Sequence, residues 1–277
     1  MIEILKAVLF GIVEGITEWL PVSSTGHIIL LDEFIQLQAS DAFKSMFDVV
    51  IQLGAILAVI FLFFHKLNPF APSKTKAEKK NTWILWFKVC VAILPSGILG
   101  VLFDDWMDTH LHNATVVSIA LIVYGVAFLF LEKGNNGKFV KRVEDVHDIS
   151  WKTAILIGCF QALSLIPGTS RSGSTILGAI LLGVGRGAGA EFSFFMAIPT
   201  MLGASAIKLL DFFLETGFGM ASQELAVLAV GMVVSLIVSL LVIKGLMDYV
   251  RKHSFAVFGV YRIILGIAVL GYFYLAN

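Results

Sequence analysis

Nine residues, Pro167-Gly-Thr-Ser-Arg-Ser-Gly-Ser-Thr175, place an arginine and five hydroxyls between the apolar runs 154–166 and 176–182. A Pro-Gly pair ends one helix, and Ser170 can cap the next. The first turn of that next helix, including Ser172, exposes unpaired N–H groups at the positive end of its dipole, which suits an anion. Arg171 adds a planar fork matched to phosphate oxygens. Thr175, four residues on, shares its helical face. A second polar break, Pro21-Val-Ser-Ser-Thr-Gly26, interrupts the apolar stretch 4–31. There Ser23 or Ser24 can cap, and Thr25 and Gly26 open the next turn. His27 follows Ser24 by three residues, a spacing that can bring imidazole and hydroxyl to one face as nucleophile and base. Two helix N-termini converging from the two breaks would form a phosphate cradle.

Glu14 and Glu18, four residues apart in apolar surroundings, would repel one another on one helical face. A divalent metal, Arg171 or one retained proton would resolve the conflict. Gly11 and Gly15 beside them permit close backbone approach. The second break offers Gln161 and Leu165 at the matching places, so the acids define one asymmetric site. Plainer readings exist: a Ser/Thr/Gly cluster can simply pack helices, Arg171 can serve a structural ion pair, and a lone His is often structural. A charge at the centre of an apolar run nevertheless costs about 2.5–3.5 kcal/mol on insertion scales and marks function. His65, His110, His112, His147 and His253 lie at span ends or in loops and receive no role. Lys88, Lys208 and Arg262, each inside a span, receive none beyond finding a partner.

These groups must be positioned at membrane depth. Of 277 residues, 58% are hydrophobic and only 14% charged, and the mean hydropathy is +0.90. Soluble domains carry about 25% charged residues, so the class is integral membrane. The zero net charge argues against a nucleic-acid partner. Cys90 and Cys159 lie in apolar segments and read as two buried free thiols. The N-terminus lacks a basic start and a small-residue cleavage site, so no removable signal peptide is expected. A bilayer needs about 20 apolar residues per helix, and six segments qualify: 47–65, 83–103, 113–131, 192–213, 223–243 and 255–275. Pro95 and Pro199 are expected to kink their helices, and Pro199 to widen a lateral opening. The interrupted stretches 4–31 and 152–183 read as re-entrant hairpins, because irregular backbone at this depth must be buried or line a wet cavity.

With both hairpins re-entrant, loops 66–82, 132–150, 184–191 and 244–254 share one face. They carry Lys66, Lys74, Lys76, Lys79, Lys80, Lys133, Lys138, Lys141, Arg142, Arg186, Lys244, Arg251 and Lys252. The opposite loops, 32–46, 104–112 and 214–222, hold Lys44 against acids that include Asp104, Asp105 and Asp108. The basic face is therefore expected to be cytoplasmic, with the first hairpin's mouth and both termini outward. Gly11 to Pro21 aligns with Gly158 to Pro167, and Gln52-Leu-Gly-Ala55 echoes Met201-Leu-Gly-Ala204. The fold expected is an all-α integral membrane protein: one membrane domain, 1–277, built as an inverted-topology repeat of about 1–131 and about 152–277. Such repeats bind anions at their interface in transporters too, so the rival class is a secondary transporter or flippase for phosphate or a phosphorylated lipid. The set Glu14, Glu18, Ser24 and His27 favours chemistry over transport. Gly231, Ser235, Ser239, Gly259 and Gly266 could pack helices within one chain or between two copies in a homodimer.

The segments Glu14 to His27 and Pro167 to Thr175 resemble the two signature segments of bacterial undecaprenyl-pyrophosphate phosphatases, also called bacitracin-resistance proteins. The resemblance extends over the whole chain in length, motif order and span pattern. It implies a multi-pass enzyme of the bacterial plasma membrane, embedded among bilayer lipid, that converts a polyprenyl pyrophosphate lipid to the monophosphate and inorganic phosphate. That recycles the carrier for peptidoglycan and confers bacitracin tolerance. It also implies a divalent cation, Mg2+ or Ca2+, held by Glu14 and Glu18. The catalytic set expected is Ser24, His27, Glu18 and Arg171, with Ser23, Thr25, Gly26, Ser170, Ser172 and Thr175 binding substrate. Whether Ser24, His27 or a water is the nucleophile stays open.

Overall fold

Without water in a hydrocarbon core, a spanning chain must satisfy its peptide groups internally, and helices do so. The computed structural model, which describes residues 1–111, 113–134, 143–217 and 219–276, has no strand among them beyond one bridge, Val143 to Val184. His112, Lys138, Lys141 and Arg142 lie outside the described residues, as do the side chains of Asp104, Asp105, Asp108 and Arg251.

The chain begins with α1 (Ile2–Thr17) and, after a break, α2 (Ser24–Phe34). Next come α3 (Asp41–Val50), α4 (Gln52–Leu62) and the short α5 (Phe64–Leu67). Two long helices follow, α6 (Lys76–Leu111) and α7 (Ala114–Gly134). The second interrupted stretch is α8 (Trp151–Ala162), a 3-10 turn (Leu163–Leu165), a break and α9 (Arg171–Leu181). The chain ends with α10 (Arg186–Thr216), α11 (Ser222–Lys252) and α12 (Ala256–Ala276). Among the described residues six helical segments are long and apolar enough to cross a bilayer: 41–62, 76–103, 114–133, 186–216, 222–250 and 256–275. All six overlap the apolar segments expected. The spans at 76–103, 186–216 and 222–250 run well beyond the segments expected, because their polar ends continue the helix. Large apolar side chains point outward along them, among them Phe87, Phe130, Leu210, Leu241 and Ile264, as suits a multi-pass membrane protein. Pro95 and Pro199 sit inside continuous helices, α6 and α10.

Glycines set how closely these helices pack. A Cβ on Gly11 would lie 2.6 Å from the Gly231 carbonyl, and one on Gly15 2.8 Å from that of Ser235, so α1 lies against α11 backbone to backbone. Gly158 of α8 meets the Ala92 carbonyl of α6 still more closely, and Gly125 of α7 faces Gly259 of α12. Gly266 meets the Ser118 carbonyl, and Ser239 donates to the Gly15 carbonyl. Gly231, Ser239, Gly259 and Gly266 thus pack within one chain. Trp19, fully buried at the end of α1, packs edge-on to Phe194 of α10 at 5.1 Å, joining the first break to the core. One expectation needs correction: Cys90 and Cys159 are free but exposed, on outward faces of α6 and α8. An apolar segment in a membrane protein can face lipid as readily as the core.

Candidate active site

Both breaks share one backbone geometry. Ser23 caps α2 and accepts from Gly26 N–H at 3.3 Å; Ser170 caps α9 and accepts from Gly173 N–H at 3.1 Å. Ser23 (φ 74°) and Ser170 (φ 71°) are the non-glycine residues with positive φ among the described residues. That conformation costs on the order of 1–3 kcal/mol and gathers at functional sites. Of the two serines offered for the first cap, Ser23 takes the role and leaves Ser24 free for another.

Ser24 donates to Glu18 Oε2 at 2.7 Å. The other carboxylate oxygen, Oε1, accepts from Arg171 Nη2 at 3.1 Å and Nε at 3.3 Å. Glu18 therefore bridges the hydroxyl of the first break to the guanidinium of the second, with all three groups largely buried. Arg171 also donates to the Ser193 carbonyl at 2.8 Å and lies over the Trp19 ring at 5.8 Å. Held on three sides, its fork has little freedom to turn.

Thr175, fully buried, donates to the Arg171 carbonyl at 2.8 Å and meets Ser193 Oγ at 2.6 Å. It supports the residue that supports Arg171. Ser172 donates to the Glu18 carbonyl at 3.0 Å and to that of Leu20 at 3.3 Å, sewing the second break to the end of α1. Ser170 Oγ lies 3.2 Å from Ser172 Oγ. Thr25 is exposed beside Ser24, and Gly26, buried, packs near Val117 and Leu121 of α7.

His27 does not make the pairing its spacing suggests. Its Nδ1 lies 2.7 Å from the Ser23 carbonyl, and its Nε2 lies 2.7 Å from Tyr261 Oη of α12. A carbonyl only accepts, so Nδ1 carries the proton and Nε2 accepts from the phenol. The two rings stack, 2° from parallel. The helical turn aims the imidazole at α12, while Glu18 takes the Ser24 hydroxyl.

Glu14 is buried, and its Oε1 has no hydrogen-bond partner. Such an oxygen beside a second carboxylate suits a hard, oxygen-liganded cation. Among the described residues no three His, Cys, Asp or Glu side chains form a cage. Mg2+ fits this donor set, since it takes one or two carboxylates and completes its shell with substrate phosphates and water. At the matching place in the second break, Gln161 donates to Ser96 Oγ at 2.7 Å and Thr200 Oγ1 at 3.2 Å. A neutral cluster stands there, as the acid-free sequence implied.

Two residues of α12 had no role from sequence. Tyr261 caps the imidazole. Arg262, fully buried, reaches both breaks by donating to the carbonyls of Pro21, Gly168 and Thr169. The one signal available was a cation inside an apolar span, which Lys88 shares; Lys88 instead donates to the His147 carbonyl.

Residues 7–268 match the family model described as Bacitracin resistance protein BacA. The chain is 60% identical over 272 residues to an undecaprenyl-diphosphatase of Enterococcus faecalis, covering 97% of this chain and 96% of that one. It is 57% identical over 277 residues to an undecaprenyl-diphosphatase of Lactiplantibacillus plantarum, with both chains fully covered. It is 58% identical over 275 residues to undecaprenyl-diphosphatase 1 of Clostridioides difficile, covering 99% of this chain and 98% of that one.

Proposed function

The chain belongs to the bacitracin resistance protein BacA family, and from that premise we infer that it hydrolyses undecaprenyl pyrophosphate to undecaprenyl phosphate and inorganic phosphate. The observation that carries the assignment to these two breaks is Glu18, which accepts from Ser24 with one oxygen and from Arg171 with the other. A nucleophile, its proton acceptor and an anion-binding guanidinium are thus tied together at membrane depth.

In the mechanism proposed, Ser24 Oγ attacks the terminal phosphorus and gives its proton to Glu18. The bond from phosphorus to the bridging oxygen breaks, and undecaprenyl phosphate leaves with the electron pair. Arg171 and the first turn of α9 stabilise the charge that develops, which is most of what phosphoryl transfer requires. Water then attacks the phosphoserine, and its proton passes to a phosphate oxygen. The bond to Ser24 Oγ breaks, Glu18 returns its proton to that oxygen, and inorganic phosphate leaves. His27, held by the Ser23 carbonyl and Tyr261, fixes the turn that carries Ser24. Glu14 and Glu18 would hold a divalent cation, whose contribution when bound is to neutralise phosphate oxygens. Thr25, exposed next to Ser24, and the Ser170 cap would contact the substrate, while the buried Gly26 and Ser172 hold the two breaks in place.

The finer architecture belongs to the same proposal. The two interrupted stretches are re-entrant hairpins of inverted repeats, and the first opens outward. Three features support this: the matched caps at Ser23 and Ser170, the loop charges, and reciprocal packing. The first hairpin's α1 lies on α11 of the second half, and the second hairpin's α8 lies on α6 of the first.

Phosphate release from undecaprenyl pyrophosphate by purified protein in detergent, with and without EDTA, tests the function. Release by the parent that is lost in Arg171→Ala, with folding intact, supports it. No release under any metal condition overturns it, and lipid movement across vesicles would then be measured for the transporter class. Rapid-quench mapping tests the nucleophile: phosphate on Ser24 supports covalent catalysis, and phosphate on no residue gives the attack to water.

A further inference from the structure

Arg262 carries a charge that the mechanism above does not use. It is 0% exposed, and burial of a cation is costly unless the cation is paired or serves a purpose. Its Nη1 donates to the Pro21 carbonyl at 3.1 Å, and its Nη2 to those of Gly168 at 2.8 Å and Thr169 at 2.9 Å. The guanidinium lies over the Tyr124 ring at 5.6 Å. All its hydrogen-bond partners among the described residues are carbonyl oxygens. Arg171 differs: Glu18 already neutralises it at 3.1 Å. A substrate with a pyrophosphate head therefore meets an ion pair whose net charge is near zero, and the cation without a carboxylate at contact is Arg262.

Its partners are placed with equal selectivity. Thr169 immediately precedes Ser170, and Pro21 stands two residues before Ser23, the two capping serines with positive φ. One rigid fork thus fixes the chain entering each strained cap and the distance between the caps. A carbonyl that accepts from a guanidinium polarises its own peptide, and the N–H in the peptide after Thr169 is that of Ser170. A buried charge is also weakly screened.

Building on the hydrolase reading, we propose that Arg262 is a positioning residue that clamps the two breaks together and adds a fixed positive charge that helps draw the pyrophosphate head into the site. If it were only a packing staple, substitution would lower stability without changing pyrophosphate affinity.

The test compares the parent with Arg262→Lys and Arg262→Gln as full-length protein in detergent. It measures inorganic pyrophosphate Kd by calorimetry, kcat per folded molecule, and thermal unfolding. Arg262→Gln is expected to weaken pyrophosphate binding about tenfold or more and to lower kcat with it. Arg262→Lys keeps the charge, but one ammonium cannot hold three carbonyls with a fork's geometry. Its Kd should stay within about threefold of the parent while kcat falls about tenfold. A folded Arg262→Gln protein with parental Kd and kcat overturns the proposal, as does a parallel loss of stability with kcat per folded molecule unchanged. If Arg262→Gln does not fold, Arg262→Lys decides: parental kcat overturns the clamp, and lowered kcat with retained Kd supports it. A parent that binds pyrophosphate but releases no phosphate would sink the hydrolase reading alone, leaving the Kd comparison to judge Arg262.

Discussion

Glu18 has two duties that a single substitution can separate from those of its neighbours. Glu18→Gln removes the charge facing Arg171 and weakens the acceptor for Ser24. Breaking a buried ion pair from one side costs about 3–5 kcal/mol, and losing a positioned proton acceptor costs about 10²–10⁴ in rate. The expected variant is therefore both unstable and nearly inactive, as thermal unfolding and phosphate release in detergent would check. Thr175→Val is a milder test of the same network. It deletes a hydroxyl that touches Arg171 and Ser193 only through backbone and side-chain hydrogen bonds, so a loss of about 0.5–1.5 kcal/mol, or a few-fold in kcat, is expected. A thousandfold loss would mean that the hydroxyl reaches substrate itself. Glu14→Gln should leave the Glu18 bridge intact and raise the Mg2+ concentration needed for half-maximal phosphate release; an unchanged Mg2+ dependence would remove Glu14 from the metal site.

Among the helices, two glycines at matching places in the repeated segments make opposite predictions. A Cβ on Gly54 of α4 would run into the backbone of Met232 on α11, whereas one on Gly203 of α10 would meet nothing within 4 Å. Gly54→Ala should destabilise by about 1–3 kcal/mol through overpacking. Gly203→Ala should be neutral or stabilise α10 by about 0.5–1 kcal/mol, because alanine restricts the unfolded chain and suits a helix interior. Thermal unfolding of the two purified variants reads the difference directly, and equal effects would contradict the packing. At Gly54, α4 packs backbone to backbone on α11, whereas α10 around Gly203 faces outward, although Thr200, one turn earlier, is bound by Gln161.

For the molecule as a whole, the outward orientation proposed above is open to a direct test. In a background with Cys90 and Cys159, both exposed, replaced by serine, Thr25→Cys should react with an impermeant thiol reagent applied from outside. Ser73→Cys, in the basic loop, should react only from inside. Reversed labelling would turn the molecule over and move hydrolysis to the cytoplasmic face. The membrane class and family follow from composition, six long helices and the match over residues 7–268.

Much of this protein was determined along the chain itself. Apolar length sets where a span falls, and a Pro-led Ser/Thr/Gly break within an apolar stretch sets a helix end and a capped helix start. The places of Glu14, Glu18, Ser24, Ser170 and Arg171 were therefore legible without coordinates. The partners of these groups were not. Ser24 could turn to His27 or to Glu18, and only the fold of the first break places the carboxylate at 2.7 Å and aims the imidazole at Tyr261. Arg262 reads as one more cation in an apolar span until α12 is set against α7 and both breaks are brought within its reach. Local spacing fixes which face a side chain occupies on its own helix. For Ser24 and Glu18, six residues apart, what stands opposite depends on how the break turns the chain between them, and for Arg262 on contacts 93 to 241 positions apart, which no helical period encodes.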